Sequence, residues 1–389
     1  MNNHKSHSMT VALVAIVMAN LAYADSPAIT DVMAQQRYPW NGKVDILYTV
    51  TGDIAEEAKQ RALLTSLKVT AIDRVANTTY TATQLSGDLS LEEGTHSIVW
   101  DMDAEEFSLP FKSSNVVFTV SCETTSAAYC VIDLSGGSNA TSYPITYMAE
   151  PPSGGFNVDE YKTTKLVLRR IEAGTFIMGY NQTDKSHRVT LTKPFFCGIF
   201  EVTQKQYMLV SGTNPCFSTE YGKGDTFPVH YVSYDMIYSD FRDKLYAKTG
   251  RRLDFQLPTK AQWEYACRAG TTSTYNNGTS DPDSAKDYMW YKDNSNRKSH
   301  PVGTKYANAW GLYDMHGNVW EWCRDLYNGG TPSYGTDPLL DWNVSASRMM
   351  CGGCWYDNAN RCISSAFAGY SQSVVDYGFG FRLVRILSQ

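Results

Sequence analysis

The sequence carries no run of basic residues, and its 34 Lys and Arg are outnumbered by 40 Asp and Glu, for a formal net charge of −6. A nucleic-acid or anionic-membrane partner therefore has no electrostatic footing here. There is also no apolar stretch of the roughly 20 residues that a membrane span requires. The Cys-Gly-Gly-Cys at 351–354 has no second C-x-x-C and no histidine pair to complete it, which excludes a four-ligand zinc site. No cysteine follows the small residues Ala22 and Ala24, so a lipid anchor is not indicated.

At 389 residues the chain is long enough for two domains, and its 43% hydrophobic and 19% charged residues are those of a globular protein. Tyrosine is frequent at 26, a usage that accompanies strands and binding surfaces. Residues 1–24 read as a signal peptide: Lys5, the apolar VALVAIVM, then Ala22-Tyr23-Ala24 before Asp25. The expectation is an exported protein, periplasmic or extracellular at the cell surface, where disulfides are permitted. Nine cysteines cannot all pair within one chain. Cys122 and Cys130 stand apart from the rest and invite a local bridge.

Residues 25–148 alternate with period two in VDILYTV, SLKVTAI, THSIVW and NVVFTV, with turn residues between. AEEAKQRALLTS (55–66) reads as one helical insertion. Such a series resembles an immunoglobulin-like β-sandwich serving as spacer or dock. The Pro- and Gly-rich 149–164 reads as a linker, and 165–389 as a second domain. There, Thr203 with Gln206 and Thr259 with Gln262 form capping-box patterns, and a longer helix is expected from Ser233 to before Gly250. Beyond Tyr275 the texture is loop and short strand.

Several motifs then follow in order: AGTFIMG, EVTQKQY, LPTKAQWEYACRAGT, PVGT, WGLYDMHGNVWEWC, CGGCW and GFRLVR, between residues 173 and 385. In this series the second half resembles the formylglycine-generating enzyme (sulfatase-modifying-factor, FGE-sulfatase) family. The resemblance implies an α+β C-type-lectin-like domain with sparse secondary structure. It also implies a chemistry: family enzymes acting on sulfatases bind Cu(I) through two thiolates five residues apart and oxidise a substrate cysteine with dioxygen. Soft thiolates select Cu(I). Aligned on Gly352-Gly353-x-Trp355, the second thiolate position is Cys362, but the first is Asp357, a hard ligand. Cys354, eight residues before Cys362, is the candidate substitute. If 351–354 is extended, Cys351 and Cys354 lie too far apart to bridge. The plainer expectation pairs one or two of these cysteines with Cys267 or Cys323 and leaves the rest as buried small residues.

The resemblance also carries a structural calcium onto Asp314, Gly317, Val319 and Glu321, an all-oxygen set if the segment is extended. The competing reading pairs Glu321 with an arginine. Finally, residues 356–379 contain no Lys, Glu, Met or Trp. Nearly all can be encoded by codons ending in a pyrimidine, as in the variable proteins of diversity-generating retroelements that share this fold. On that reading Tyr356, Phe367, Tyr370 and Tyr377 give rigid contact, and Asp357, Asn358 and Asn360 adaptable hydrogen bonds. Arg361 is the anchor, and the ligand is a protein or glycan. The sequence thus favours a binding protein without copper chemistry over a formylglycine-generating oxidase, in which Cys362 would be catalytic.

Overall fold

The computed structural model describes residues 28–387 apart from 37–42, 53, 55–62, 75–76, 106–115, 180–185, 252, 328–333 and 342–346. The expected signal peptide lies outside the described residues. Contacts divide the chain into two units between Ser126 and Ala127. Among the described residues no helix is long and apolar enough to cross a membrane.

The described strands of the first unit are β1 (Ala28–Gln36), β2 (Lys43–Thr51), β3 (Leu63–Asp73), β4 (Thr78–Thr81), β5 (Leu85–Gly87), β6 (Gly94–Asp101) and β7 (Val116–Ser126). They form two antiparallel sheets, β1-β2-β6-β5 and β4-β3-β7. The period-two residues of the sequence supply one core, with Ile46, Tyr48, Val69, Ile98, Trp100 and Phe118 buried from both sheets. Of the helix expected over 55–66, residues 55–62 lie outside the described residues, Ile54 just before them is helical, and 63–66 are strand instead. Leu63 to Ser66 open β3 and pair in register with Ser126 to Glu123 of β7, so a remote partner outweighs local helix propensity. Glu105 is buried and accepts the Trp100 indole N–H at 2.7 Å and the Thr83 hydroxyl at 2.6 Å.

The second unit begins earlier than the expected boundary at 148. Strands β8 (Tyr129–Asp133) and β9 (Ile145–Met148) extend β10 (Lys165–Ile171). That sheet runs β14-β22-β13-β10-β8-β9, with β13 at Phe195–Gly198, β14 at Asp254–Gln256 and β22 at Val384–Ile386. The stretch read as a linker is folded into the same unit. Phe156 is buried 4.8 Å from the Tyr129 ring, and a helix spans Asp159–Thr163. Cys122 and Cys130, read as a local bridge, are thiols on strands of different units.

Both capping boxes form. Thr203 caps the helix Gln204–Ser211 and Thr259 caps Lys260–Arg268, each with its glutamine reaching back to the cap N–H. The longer helix runs through Tyr234–Met236, a π-helical stretch Ile237–Arg242 and Asp243–Lys248, burying Ile237, Phe241 and Leu245. A second sheet runs β20-β19-β17-β21, with β17 (Trp320–Leu326), β19 (Ser347–Cys351), β20 (Phe367–Ser371) and β21 (Phe379–Gly380). The helix Lys260–Arg268 packs its Ala261, Trp263, Ala266 and Cys267 into the core beside these strands.

Candidate functional site

Strand β19 ends at Cys351, and the chain turns at once. Gly352 and Gly353 have φ of 96° and 75°, values that favour glycine. A Cβ on Gly353 would stand 2.7 Å from both the Arg361 carbonyl oxygen and the Cys362 sulfur. The segment is therefore not extended, as expected from sequence, and its cysteines diverge: Cys351 faces Cys323, with sulfurs 3.5 Å apart, and Cys354 faces Asp357.

Asp357, the residue that the resemblance aligns with the first thiolate, has partners on both carboxylate oxygens. Its Oδ2 accepts the Trp320 indole N–H at 2.7 Å, the Cys354 backbone N–H at 3.1 Å and the Cys354 thiol at 3.0 Å. Its Oδ1 pairs with Arg361 Nε at 3.1 Å. The Arg361 guanidinium in turn lies over the Trp320 ring. Cys362 is buried among Tyr275, Ala285, Met289 and Tyr291, its thiol turned to the Cys354 carbonyl at 3.9 Å. Burial, then the charge of Asp357, pushes the Cys362 thiol far above its ordinary range, and the same two causes act on Cys354. Both causes favour the neutral thiol at both sulfurs, and a carboxylate at 357 is a hard donor ill matched to a soft ion.

His316 holds this loop from behind. Its Nε2 accepts the Asn276 backbone N–H at 3.1 Å, so its Nδ1 carries the proton and donates to the Cys362 carbonyl at 2.7 Å. Burial lowers its pKa to about 4, keeping it neutral.

The four residues assigned to calcium do not converge as expected. Asp314, Gly317 and Asn318 have φ of 56°, 72° and 59°, so the segment is not extended throughout: a two-residue strand, His316–Gly317, pairs with Met289–Trp290, and the chain bends at 318–319 before Trp320. A Cβ on Gly317 would meet the Trp290 carbonyl oxygen at 2.0 Å. Val319 gives its N–H to Glu201 at 3.1 Å. The Glu321 carboxylate is taken by arginine: Arg382 Nε and Nη2 each donate to it at 2.6 Å, and the Trp263 indole at 2.7 Å. Asp314 differs, since its Oδ2 accepts the Gly303 N–H at 2.7 Å while its buried Oδ1 has no hydrogen-bond partner. Burial raises its pKa to about 6, and burial with the nearby charges of Asp314 and Glu321 raises that of Glu201. Among the described residues no group of three or more His, Cys, Asp or Glu is placed to hold a metal ion. The Glu321 carboxylate is committed to Arg382 and Trp263, and Asp314 Oδ1 is the carboxylate oxygen of this set that keeps a free lone pair.

The proposed contact residues separate into two sets. Asn358, Asn360, Arg361 and Tyr370 are exposed, and Tyr356 and Tyr377 half-buried. Asp357 is instead committed inward, and Phe367 packs against the core. Tyr377 stacks on Tyr221 at 4.5 Å and meets Tyr356 at 5.3 Å and Trp355 at 5.6 Å. Tyr231 continues the cluster to Phe217, which is 71% exposed. Sequence reasoning missed Tyr221, Tyr231 and Phe217. They lie over 120 residues upstream, in a Gly- and Ser-punctuated loop whose aromatic spacing was their one sequence signal.

Comparison with known proteins places these residues in a family frame. Residues 158–387 match the family model described as the sulfatase-modifying factor enzyme 1-like domain. The chain is 31% identical over 263 residues to the chaperone protein LppX of Paenibacillus barcinonensis, covering 55% of this chain and 88% of that one. It is 42% identical over 159 residues to the formylglycine-generating enzyme of Mycobacterium tuberculosis, covering 35% of this chain and about half, 51%, of that one. Among solved structures, Treponema denticola variable protein 1 matches with a TM-score of 0.51 and 28% identity, over 58% of this chain and 96% of that one.

Proposed function

Because this chain belongs to the sulfatase-modifying factor enzyme 1-like family, whose fold here is C-type-lectin-like, we propose that it is an exported binding protein. On this reading it takes a protein or glycan ligand at the face of residues 356–379 and performs no copper oxidase chemistry. One observation carries the reading. The first copper thiolate position is Asp357, and its carboxylate is spent on Trp320, Cys354 and Arg361. The likeness to a Treponema protein named as variable supports a contact role for the exposed Asn358, Asn360, Arg361 and Tyr370. The first unit, two antiparallel sheets on one core, is read as an immunoglobulin-like stalk or dock. Calcium is carried forward at Asp314 alone, and an equal Tm in calcium and in chelator removes it.

The second reading, a formylglycine-generating oxidase using Cys362 and Cys354, draws on the 42% identity to the mycobacterial enzyme. A direct test separates the two. The full chain is incubated with Cu(I), oxygen and a Cys-x-Pro-x-Arg peptide, and the peptide mass is followed. No conversion is expected, and conversion overturns the binding-only reading. In parallel the protein is screened on glycan and protein arrays. Binding lost in Asn358→Ala/Asn360→Ala/Tyr370→Ala supports the contact face, and binding unchanged in that variant refutes it.

A further inference from the structure

We propose that Cys323 and Cys351 form a disulfide that ties strand β17 to strand β19, a cross-link independent of the functional reading above. The two sulfurs are 3.5 Å apart, and both residues are fully buried. They stand on neighbouring antiparallel strands, where Glu321 pairs with Cys351. The ladder loses its regular register just after Trp322, so Cys323 falls where the chain departs from ideal pairing. In a regular ladder it would face Met349 and be only a diagonal neighbour of Cys351. Here the two sulfurs meet, and closing the bond to about 2.0 Å asks for a side-chain adjustment of roughly 1.5 Å.

The other six thiols of this unit have different partners, Cys130 lying against Arg385 and Tyr147. Cys216 accepts the His230 N–H at 3.2 Å, Cys267 turns to the Met315 carbonyl at 3.7 Å, and Cys197 to the Gly198 carbonyl at 3.7 Å. Cys354 donates to Asp357 at 3.0 Å and Cys362 to the Cys354 carbonyl at 3.9 Å. The buried ammonium of Lys260, held by Glu264 at 2.6 Å, interacts with the sulfurs of both Cys351 and Cys323. Burial still holds the Cys323 thiol well above its ordinary range in the folded chain, so exchange belongs to an earlier stage of folding.

The step balances with a small-molecule disulfide as oxidant. One thiolate attacks a sulfur of oxidised glutathione and releases one glutathione. The second thiolate then attacks the protein sulfur of that mixed disulfide and releases the other. Two electrons pass from the cysteine pair to the glutathione disulfide, and the two thiol protons end on the released glutathione. Since neither sulfur is exposed in the folded chain, the exchange occurs while the strands are closing. The bond encloses a loop of 28 residues. It also fixes β17, which carries Trp320 and Glu321, against β19, which leads directly into Gly352-Gly353-Cys354. Its consequence is a pinned base for the Asp357 loop.

The full chain is refolded in reduced and oxidised glutathione, denatured without reductant, alkylated, digested and mapped by mass. The peptides bearing Cys323 and Cys351 are expected joined, two hydrogens lighter than their sum. Reduction of the native protein should lower its Tm by about 5–10 °C, and Cys323→Ala/Cys351→Ala should show no such response. Recovery of both cysteines alkylated, or of either joined to a different cysteine, overturns the proposal. Because the peptide map is read on the unaltered chain, it decides the matter even if the double variant fails to fold.

Discussion

Replacing Arg382 with leucine should be among the most damaging single changes in the second unit. The guanidinium is wholly buried and donates four hydrogen bonds: two to Glu321 at 2.6 Å, and one each to the carbonyls of Gly198 and Tyr313 at 3.0 Å. Burial works against its charge, but the Glu321 carboxylate more than offsets this and holds the group protonated. Removing one member of a buried pair costs about 3–5 kcal/mol, because the other charge is left without its partner. The Glu321 carboxylate would then have only the Trp263 indole, with Glu201 and Asp314 close enough to repel it. The Tyr313 carbonyl, left without this donor, adds about 1–3 kcal/mol where no water reaches it, and the Gly198 carbonyl keeps only the weak Cys197 thiol. A loss of about 5 kcal/mol is thus expected, against a total stability of roughly 5–15 kcal/mol. Urea denaturation followed by tryptophan fluorescence reads it as a midpoint lowered by about 2 M. The paired variant Arg382→Leu/Glu321→Leu removes both charges and should recover much of the loss. An exposed pair sets the scale: Arg242–Asp254, at 3.4 Å with Asp254 over half exposed, should cost under about 1 kcal/mol when Asp254 becomes Ala. A single variant within about 1 kcal/mol of the parent, or a paired variant no better than the single, would refute the reasoning.

In the first unit, His96 gives stability a pH dependence. Its Nδ1 faces Asp88 at 2.9 Å and its Nε2 the Glu92 carbonyl at 2.8 Å, both acceptors, so only the imidazolium satisfies both. The hydrogen bond to Asp88 raises its pKa above the ordinary 6.5. Stability from this contact is therefore full below about pH 6.5 and lost as pH rises through the raised value. A thermal melt series from pH 5 to 9 should show that loss, and a His96→Gln variant with the same slope would dismiss it. At the copper position, Asp357→Cys restores two thiolates five residues apart, with Cys362 as the second. Competition with a chromogenic Cu(I) chelator should show at least a tenfold gain in affinity over the parent, about 1.4 kcal/mol. No gain would mean that Asp357 is not at that position.

What the sequence disclosed was what short range decides. The capping boxes at Thr203 and Thr259 need only four residues each, and both formed. The alternating strands of the first unit likewise carry their own pattern. Leu63 to Ser66 were misread because their partner strand begins fifty residues later. The same limit explains the boundary. β8 and β9 look like further strands of the first series, and only their ladder to β10 assigns them to the second unit. Phe156 and Tyr161, which meet edge to face at 4.9 Å in the supposed linker, were the available warning.

The candidate site shows the sharper version of this limit. Asp357 was legible as a departure, because the Gly-Gly-x-Trp frame fixes its position by counting alone. What the departure accomplishes was not legible, since it depends on Trp320, thirty-seven residues upstream, and on a turn at Gly352-Gly353 that aims Cys354 at the same oxygen. A thiolate at 357 would have met the same indole and amide donors that now serve the carboxylate. The substitution therefore does more than delete a ligand. The Trp320 and Cys354 donors at this carboxylate support the loop from within, and Asn358, Asn360 and Arg361 stand outward from it. On the proposed reading, the absence of copper chemistry and a rigid contact face both trace to one residue, and Asp357→Cys tests the two together.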